Sequence, residues 1–238
     1  MLKEIQTYPL FQNDPILSCE LLEQQGNANQ TYLLQTQKRR YLLRKFQISR
    51  NREIEFSVQK KASQKGIGTK PILLDREKGL MITTYINGIH KERLTHYELK
   101  KMAQLLKKLH KIKLRLKRNS FKEHFSFKEK RIKAAFVLLS KHKSEYAIGH
   151  NDLHTKNIIF SPKGIKLIDW EYAGYSDIYF DLVSIIIEYH LKEREKHIFL
   201  RNYFGSKKIN HQKIKAYTTI YRELWRLWFK KLAKGELS

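Results

Sequence analysis

The sequence contains one cysteine in 238 residues, so an internal disulfide is excluded. This residue, Cys19, lies in an apolar run, which favours a buried thiol. No segment approaches the roughly 18 uncharged apolar residues of a membrane-spanning helix. The first residues, M-L-K-E-I-Q-T-Y-P-L-F-Q, lack the apolar centre of a signal peptide, and internal repeats and low-complexity segments are also missing. We therefore expect a cytoplasmic protein.

Acidic residues are scarce: Asp and Glu number 23 against 48 Lys and Arg, which gives a formal net charge of +25. An excess of this size could serve nucleic acid, an anionic membrane surface or an anionic substrate. The basic residues are scattered along the chain and do not form a tail, so we expect many of them to form solvated faces. A binding protein without catalytic activity therefore stays an open alternative.

Three polar residues stand among apolar neighbours in the middle of the chain. The apolar runs Ile158–Phe160 and Ile165–Ile168 flank a Pro-Lys-Gly turn and predict a hairpin, with Asn157 at its entrance and Asp169 at its exit. Together with Asp152 they form the arrangement of kinase-like phosphotransferases, in which the first acid orients a hydroxyl and the others hold magnesium on a nucleotide. The alternative is that these residues cap turns and end a strand.

Two segments carry a more specific resemblance. Residues 168–181, I-D-W-E-Y-A-G-Y-S-D-I-Y-F-D, are similar to the choline and ethanolamine kinases, and residues 224–229, L-W-R-L-W-F, resemble their W-x-x-W helix. The similarity covers most of the chain and extends more loosely to aminoglycoside phosphotransferases. It implies a protein-kinase-like α+β fold, with an antiparallel-sheet N-terminal lobe and a mainly helical C-terminal lobe.

The resemblance also assigns roles in the central stretch. Asp152 would orient and deprotonate an alcohol, while Asn157 and Asp169 would hold Mg²⁺ on the phosphates of ATP. His150 would support the geometry of the loop. His154 departs from many choline kinases and matches the D-x-H of aminoglycoside and thiamine kinases, so the substrate class stays open.

Residues from Leu17 to Phe46 alternate apolar and polar side chains around two turns, which predicts three antiparallel strands. The first turn, G-N-A-N-Q-T-Y, resembles the family's nucleotide loop and places Gly26 and Asn29 near the phosphates. It lacks the three glycines of the protein-kinase loop, and without the downstream motifs an ordinary hairpin turn explains it equally well.

A phosphate-binding cation is expected at the end of the third strand. Matching L-L-R to the family assigns Arg44 to this role, and Lys45 should then face the other side of the strand. A helix is predicted from Ser49 to Lys65, with Ser49 or Asn51 as its N-cap. Its R-x-x-E resembles the family motif that supplies the ion-pair partner of Arg44. Glu55 fits this position, and Glu53 is the competitor.

Two further strands are predicted at Pro71–Leu74 and Leu80–Tyr85. The segment M-I-T-T-Y-I-N-G resembles the hinge of the superfamily, which implies that backbone groups of Thr84, Tyr85 and Ile86 bind adenine. Asn87-Gly88 offers a flexible joint. We therefore expect a nucleotide-binding lobe over residues 1–87 and a catalytic, substrate-binding lobe over residues 88–238.

Apolar periodicity predicts helices over most of the remaining chain. They are expected at His96–Lys113, Phe121–Ser140 and Ile209–Lys234, with one more helix after Asp181, which would cap it. His110 lies beside the apolar stripe of the first of these helices, where a structural role is expected.

The substrate pocket is predicted mainly from aromatic residues. Trp225 and Trp228 are three apart and share a helix face, so with Tyr172 they could cage a quaternary ammonium group, or they could simply be core. The resemblance places Glu188 near the substrate's cationic head, and a solvent-facing carboxylate is the alternative.

These observations predict an ATP- and Mg²⁺-dependent kinase that phosphorylates a small amino alcohol, with choline as the expected acceptor. A kinase of ethanolamine, thiamine, an aminoglycoside or a sugar is the enzymatic alternative. A kinase-like protein that binds nucleic acid or an anionic surface is the non-enzymatic one.

Overall fold

The N-terminal part of the chain is built on an antiparallel sheet. The computed structural model describes residues 2–22, 29–48, 51–127 and 129–234. Its largest sheet has the strand order β1-β2-β3-β5-β4. The strands are β1 Ile16–Leu21, β2 Asn29–Thr36, β3 Arg40–Phe46, β4 Pro71–Asp75 and β5 Leu80–Thr84. Neighbouring strands all pair antiparallel, so the prediction of three antiparallel strands and two later ones is confirmed.

In the described part of the N-terminal region, three helices accompany this sheet. The short helices α1 (Leu2–Ile5) and α2 (Pro9–Gln12) were not predicted from the sequence, and they bury Ile5 and Phe11 in the core of the sheet. Helix α3 (Arg52–Gln64) begins after Asn51, whose side chain accepts a hydrogen bond from the Ile54 amide. Ser49, the alternative cap, lies outside the described residues.

The C-terminal part is mainly helical and has its own core. Its helices are α4 (His96–Leu109), α5 (Lys130–Ser140), α6 (Ile178–Glu188), α7 (Glu193–Phe204) and α8 (His211–Ala233). Helix α4 packs on α7, and α8 packs on both α5 and α6. The predicted α+β fold is therefore confirmed. The lobe boundary at residue 87 stays a prediction, because apolar residues of α3 join the helical core.

Two small sheets lie within this helical part. Strand β6 (Tyr146–Gly149) pairs with β9 (Gly174–Asp177), and β7 (Ile158–Ser161) pairs with β8 (Gly164–Leu167). The second pair is the predicted hairpin. Isolated bridges tie it to the chain on either side of β4 and β5, one between Gly68 and Leu167 and the other between Ile89 and Phe160. Among the described residues, no helix is long and apolar enough to cross a membrane.

The predicted helix over 121–140 is wrong in its first half. A single 3-10 turn occupies Phe121–His124, and the α-helix begins only at Lys130. Phe121 stacks on Phe180 with ring centroids 4.0 Å apart, and Phe127 has a φ of 56°. A left-handed residue interrupts a right-handed helix, so tertiary aromatic packing overrides the helical pattern here.

Two other expectations need correction. Asp181 does not cap α6: the helix begins at Ile178, and the side chain of Asp177 accepts the Tyr179 amide at 3.1 Å. Asp181 lies one turn inside the helix and is buried. Cys19 is half-buried and packs at the edge of the sheet's core, because β1 is the edge strand.

Candidate active site

The buried carboxylate of Asp181 holds the loop that follows β6. Asp181 accepts hydrogen bonds from the backbone amides of His150 and Asn151, both at 2.8 Å, and lies 3.2 Å from Nε2 of His110. Asn151 has a φ of 64°, a conformation that asparagine adopts more readily than most residues. Burial alone would raise the pKa of Asp181, but the His110 hydrogen bond and neighbouring groups lower it below its usual range. Asp181 therefore fixes the start of the loop as a carboxylate.

His150 is fully buried at the base of this loop. Its Nε2 lies 2.9 Å from the carbonyl oxygen of Ile168, and its ring packs against Trp170. Burial lowers the pKa of the imidazole, which favours the neutral form. These contacts join the loop to the strand that leads to Asp169, as expected of a residue that supports the loop. The scaffolding role of His150 stays a prediction.

Asp152 and Asn157 lie together at the mouth of the hairpin. The side-chain amide of Asn157 donates to both Oδ2 and the backbone oxygen of Asp152, each at 2.9 Å. Burial, followed by the charges of Asp169 and Glu171, raises the pKa of Asp152 to about 8. Carboxylates therefore crowd this site, and a cation among them would relieve their mutual repulsion.

Asp169 follows β8 in a strained conformation, with a φ of 60°. The Ile168 amide donates to the carbonyl oxygen of Asn157 at 3.0 Å, so the two predicted metal ligands are adjacent across the base of the hairpin. Oδ1 of Asp169 is buried and accepts no hydrogen bond from the residues that the structure describes, although Nη2 of Arg44 lies 3.2 Å away.

This donor set fits Mg²⁺. A carboxylate and an amide provide the oxygen ligands that Mg²⁺ prefers, and the ion commonly takes only one or two carboxylates from the protein. The described residues contain no group of three or more His, Cys, Asp or Glu side chains placed to hold a metal. A site with few protein ligands, completed by phosphate and water, is the kind that suits Mg²⁺.

A chain of alternating charges joins α3 to the site. Arg44 lies 2.7 Å from Glu55, Glu55 lies 2.8 Å from Arg52, and Arg52 lies 3.3 Å from Glu171. Arg44 also faces Asp169. The structure thus brings the predicted cation together with its predicted partner, beside the predicted metal ligand.

The competing assignments on these elements are resolved by the geometry. Glu53 pairs with Arg76 in an exposed position, so Glu55 is the partner of Arg44. Lys45 is exposed, whereas Arg44 turns inward. Arg52 is the residue that the sequence reasoning missed. It was visible as the first position of R-x-x-E, but its contact with Glu171 spans 119 residues.

The predicted hinge is only partly available to a nucleotide. The amides of Thr84 and Tyr85 donate to the carbonyl oxygens of Lys70 and Arg40, at 2.9 and 3.2 Å. In the described part of the chain, no hydrogen bond takes the Ile86 amide. The groups predicted to bind adenine are therefore reduced to the Ile86 amide and the carbonyl oxygens of this segment.

The predicted nucleotide loop is described only at its end. Gly26 lies outside the described residues. Asn29 is buried at the start of β2, where its Oδ1 lies 3.3 Å from Nη2 of Arg52. Asn29 thus helps to hold the α3 arginine, and its predicted contact with phosphate stays a prediction.

An aromatic wall on α8 adjoins the catalytic loop. Trp225 and Trp228 are half-buried, with ring centroids 5.6 Å apart. The rings of His154 and Trp225 are nearly perpendicular, with centroids 6.0 Å apart. Nε2 of His154 lies 3.8 Å from Oδ2 of Asp152. Burial lowers the pKa of His154 to about 4, so the ring is neutral near pH 7. His154 therefore connects the predicted base with the predicted cage.

Glu188 and Tyr172 are the other residues predicted to line the pocket. Glu188 accepts a hydrogen bond from the hydroxyl of Tyr221 at 2.9 Å, and Tyr221 packs against Trp225. Burial raises the pKa of Glu188. The side chain of Tyr172 is 38% exposed, and its carbonyl oxygen accepts the Asn151 side-chain amide. A role for Tyr172 in the cage stays a prediction.

Known proteins resemble this chain over most of its length. LicA of Haemophilus influenzae is 25% identical over 211 residues, which cover 76% of this chain and 79% of that protein. The crystal structure of the choline kinase LicA from Streptococcus pneumoniae has a TM-score of 0.81 at 26% identity, covering 99% of this chain and 90% of that one. A structure of LicA in complex with AMP has a TM-score of 0.76 at 28% identity, with the same coverage.

These similarities confirm the resemblance read from residues 168–181 and 224–229. The family model for phosphotransferase enzymes matches two overlapping segments, residues 22–147 and 122–217. Together these segments contain strands β2 to β5 of the sheet, the charge chain and the catalytic hairpin described above. The chain therefore belongs to the phosphotransferase enzyme family.

Proposed function

We propose that the protein transfers the γ-phosphoryl group of ATP to the hydroxyl of choline. The observation that carries this proposal is the contact series from Asp152 through His154 to Trp225. It sets the group that would receive the hydroxyl proton beside an aromatic surface. A quaternary ammonium group has no N–H to donate, so such a surface, which attracts cations through its π-electrons, suits it well.

The residues of the site divide the chemistry among them. Asp152 would orient the hydroxyl and accept its proton, while Arg44, fixed by Glu55, would steady the nucleotide phosphates. Asn157 and Asp169 would hold Mg²⁺, which when bound neutralises phosphate charge. Phosphoryl transfer requires mainly alignment and charge neutralisation, which this preorganised set provides.

An aminoglycoside fits the pocket less well, because it would require several free acids to meet its amino groups. Glu188 is engaged by Tyr221. Glu223, the acid of α8, is held by Arg131 at 2.9 Å and by Arg226. Both carboxylates therefore already have partners within the protein.

ADP release with a panel of acceptors tests the proposed function. With Mg²⁺ and ATP, choline should stimulate ADP release far more than ethanolamine, thiamine or kanamycin. If another acceptor of the panel stimulates ADP release more than choline does, that acceptor and not choline is the substrate. Absence of turnover with every acceptor, together with salt-sensitive binding of nucleic acid, would contradict the kinase and favour the binding protein.

The aromatic wall gives a second expected result. Replacing Trp225 with Ala should raise the KM for choline about tenfold and leave the KM for ATP nearly unchanged, because a cation–π contact contributes about 1–2 kcal/mol when desolvated. Steady-state kinetics with each substrate varied in turn measures this difference. The Trp225→Phe variant keeps a ring and should recover part of the affinity. Equal increases in both KM values, with a lower melting temperature, would assign Trp225 to the core.

A further inference from the structure

A groove separate from the active site lies between α4 and the tip of the β7–β8 hairpin. It encloses about 650 Å³ and is also bounded by the turn that follows α3 and by the segment after β5. None of its described lining residues belongs to the candidate active site. The hairpin carries Asn157 at its base, whereas Pro162 and Lys163 at its tip line the groove.

Positive charge dominates the described lining of this groove. Five lysines line it, against a single acid. The lysines are Lys65, Lys91, Lys101, Lys108 and Lys163. The acid, Glu98, is already occupied: it accepts hydrogen bonds from Lys91 and from the backbone and hydroxyl of Thr95. The described ion pairs of the protein therefore neutralise only one of these five lysines.

The pKa of a neighbouring lysine is affected by the same positive charge. Lys166 lies beside the groove and donates through Nζ to the carbonyl oxygen of Gly66 at 2.5 Å. Burial lowers its pKa, and the charges of Lys108 and Lys163 lower it further. Like charges disfavour the protonated form of a lysine, so these side chains act on one another. An anion in the groove would reduce this repulsion.

The groove also exposes apolar surface. Ile89 is 61% exposed and Tyr97 is 66% exposed, and the half-buried Phe160 lies beside them. Exposed apolar side chains gathered in a concave, charged site are typical of an interaction surface. The lining thus combines separate lysines with apolar contacts.

These features discriminate among anionic ligands. The described lining contains no arginine, and its five lysines come from four separate segments of the chain, whereas a lone phosphate is best held by a guanidinium or by converging backbone amides. Single-stranded nucleic acid prefers rows of stacking aromatic side chains, and only Tyr97 and Phe160 are aromatic here. An extended polypeptide that alternates acidic and apolar side chains matches both components.

We propose that this groove is a docking site for an acidic segment of a partner protein, whose carboxylates pair with Lys101, Lys108 and Lys163 while an apolar side chain packs on Ile89 and Tyr97. The site is independent of the phosphoryl-transfer chemistry. Its charge would favour encounter with acidic segments, and its apolar surface would favour those that carry a hydrophobic anchor.

Fluorescence anisotropy on the full chain tests this site. The probe is a fluorescein-labelled peptide of about twelve residues that alternates Glu with Leu, an extended length suited to groove recognition. The triple variant Lys101→Glu, Lys108→Glu, Lys163→Glu should weaken binding at least about tenfold at about 0.1 M salt, because contacts in a groove are screened less than those between fully exposed charges. A peptide of Glu and Ser should bind the unaltered protein several-fold more weakly.

A matched variant separates the groove from overall charge. Lys133, Lys215 and Lys230 are exposed on α5 and α8, so changing all three to Glu alters the net charge by the same amount. This variant should bind the peptide nearly as well as the unaltered protein. Equal losses in both triple variants would overturn the proposal. So would groove-dependent binding of a labelled DNA strand or of anionic vesicles without binding of the peptide. Circular dichroism confirms that each variant is folded.

Discussion

Replacing Asp152 with Asn should reduce choline-dependent turnover by about two to four orders of magnitude, the usual contribution of a general base. The substitution is nearly isosteric, and the amide oxygen of Asn can still accept the Asn157 hydrogen bond seen at Oδ2. Loss of activity would therefore report loss of proton acceptance. Rapid-quench or coupled-assay kinetics measures the change in kcat, and nucleotide titration should show nearly unchanged affinity.

The same substitution should leave the fold as stable as before, or more stable. The pKa of Asp152 is raised on folding, to about 8. A carboxyl group with a raised pKa in the folded state holds its proton more tightly than in the unfolded chain, so it lowers stability as pH rises from its unfolded pKa towards the folded value. Asn removes this penalty at neutral pH.

A variant that retains more than about a tenth of the activity would exclude Asp152 as the base.

Replacing Asp181 with Asn should destabilise the protein by about 1–3 kcal/mol, because the substitution leaves a buried hydrogen-bond donor unsatisfied. The carboxylate is 1% exposed, and its hydrogen-bond partners among the described residues are two backbone amides and the His110 ring. An amide group would turn an N–H towards one of them. Urea unfolding followed by circular dichroism measures the free energy of unfolding.

An exposed ion pair provides the comparison. Glu193 is 90% exposed and pairs with Lys196, so Glu193→Gln should change the unfolding midpoint very little. The pH dependence has a defined sign as well. Because the folded state lowers the pKa of Asp181, its contribution is present above the unfolded pKa and disappears as pH falls through the folded value. The Asp181→Asn variant should lose that part of the acid sensitivity, and an unchanged acid transition would contradict the assignment.

The parts of the site that the sequence predicts well are those fixed by local pattern. The hairpin follows from two short apolar runs and a turn, so Asn157 and Asp169 could be placed on one side before any coordinates were known. Glu55 is favoured over Glu53 as the partner of Arg44 because R-x-x-E, a motif within one helix, resembles the family's motif. Such relations span a few residues and leave a direct trace in the sequence.

The parts that it does not predict depend on distant partners. Aspartate is common at helix caps, so the sequence favours a capping role for Asp181. In the structure a loop 30 residues earlier approaches Asp181, which therefore supports that loop. The break in the predicted helix at 121–140 arises from aromatic packing against Phe180 and from the backbone angle of Phe127. Neither the partner nor the angle is encoded in apolar periodicity.

The two isolated bridges of the hairpin restrict its movement relative to the segments that flank β4 and β5. Ile89 and Phe160 exchange a pair of backbone hydrogen bonds, at 2.8 and 3.0 Å, and the Leu167 amide donates to the Ile67 carbonyl at 2.8 Å. Breaking such bonds without replacement is costly. Because Ile158 and Leu167 of the hairpin are also buried in the helical core, the hairpin is a fixed connection between that core and the segments that flank β4 and β5.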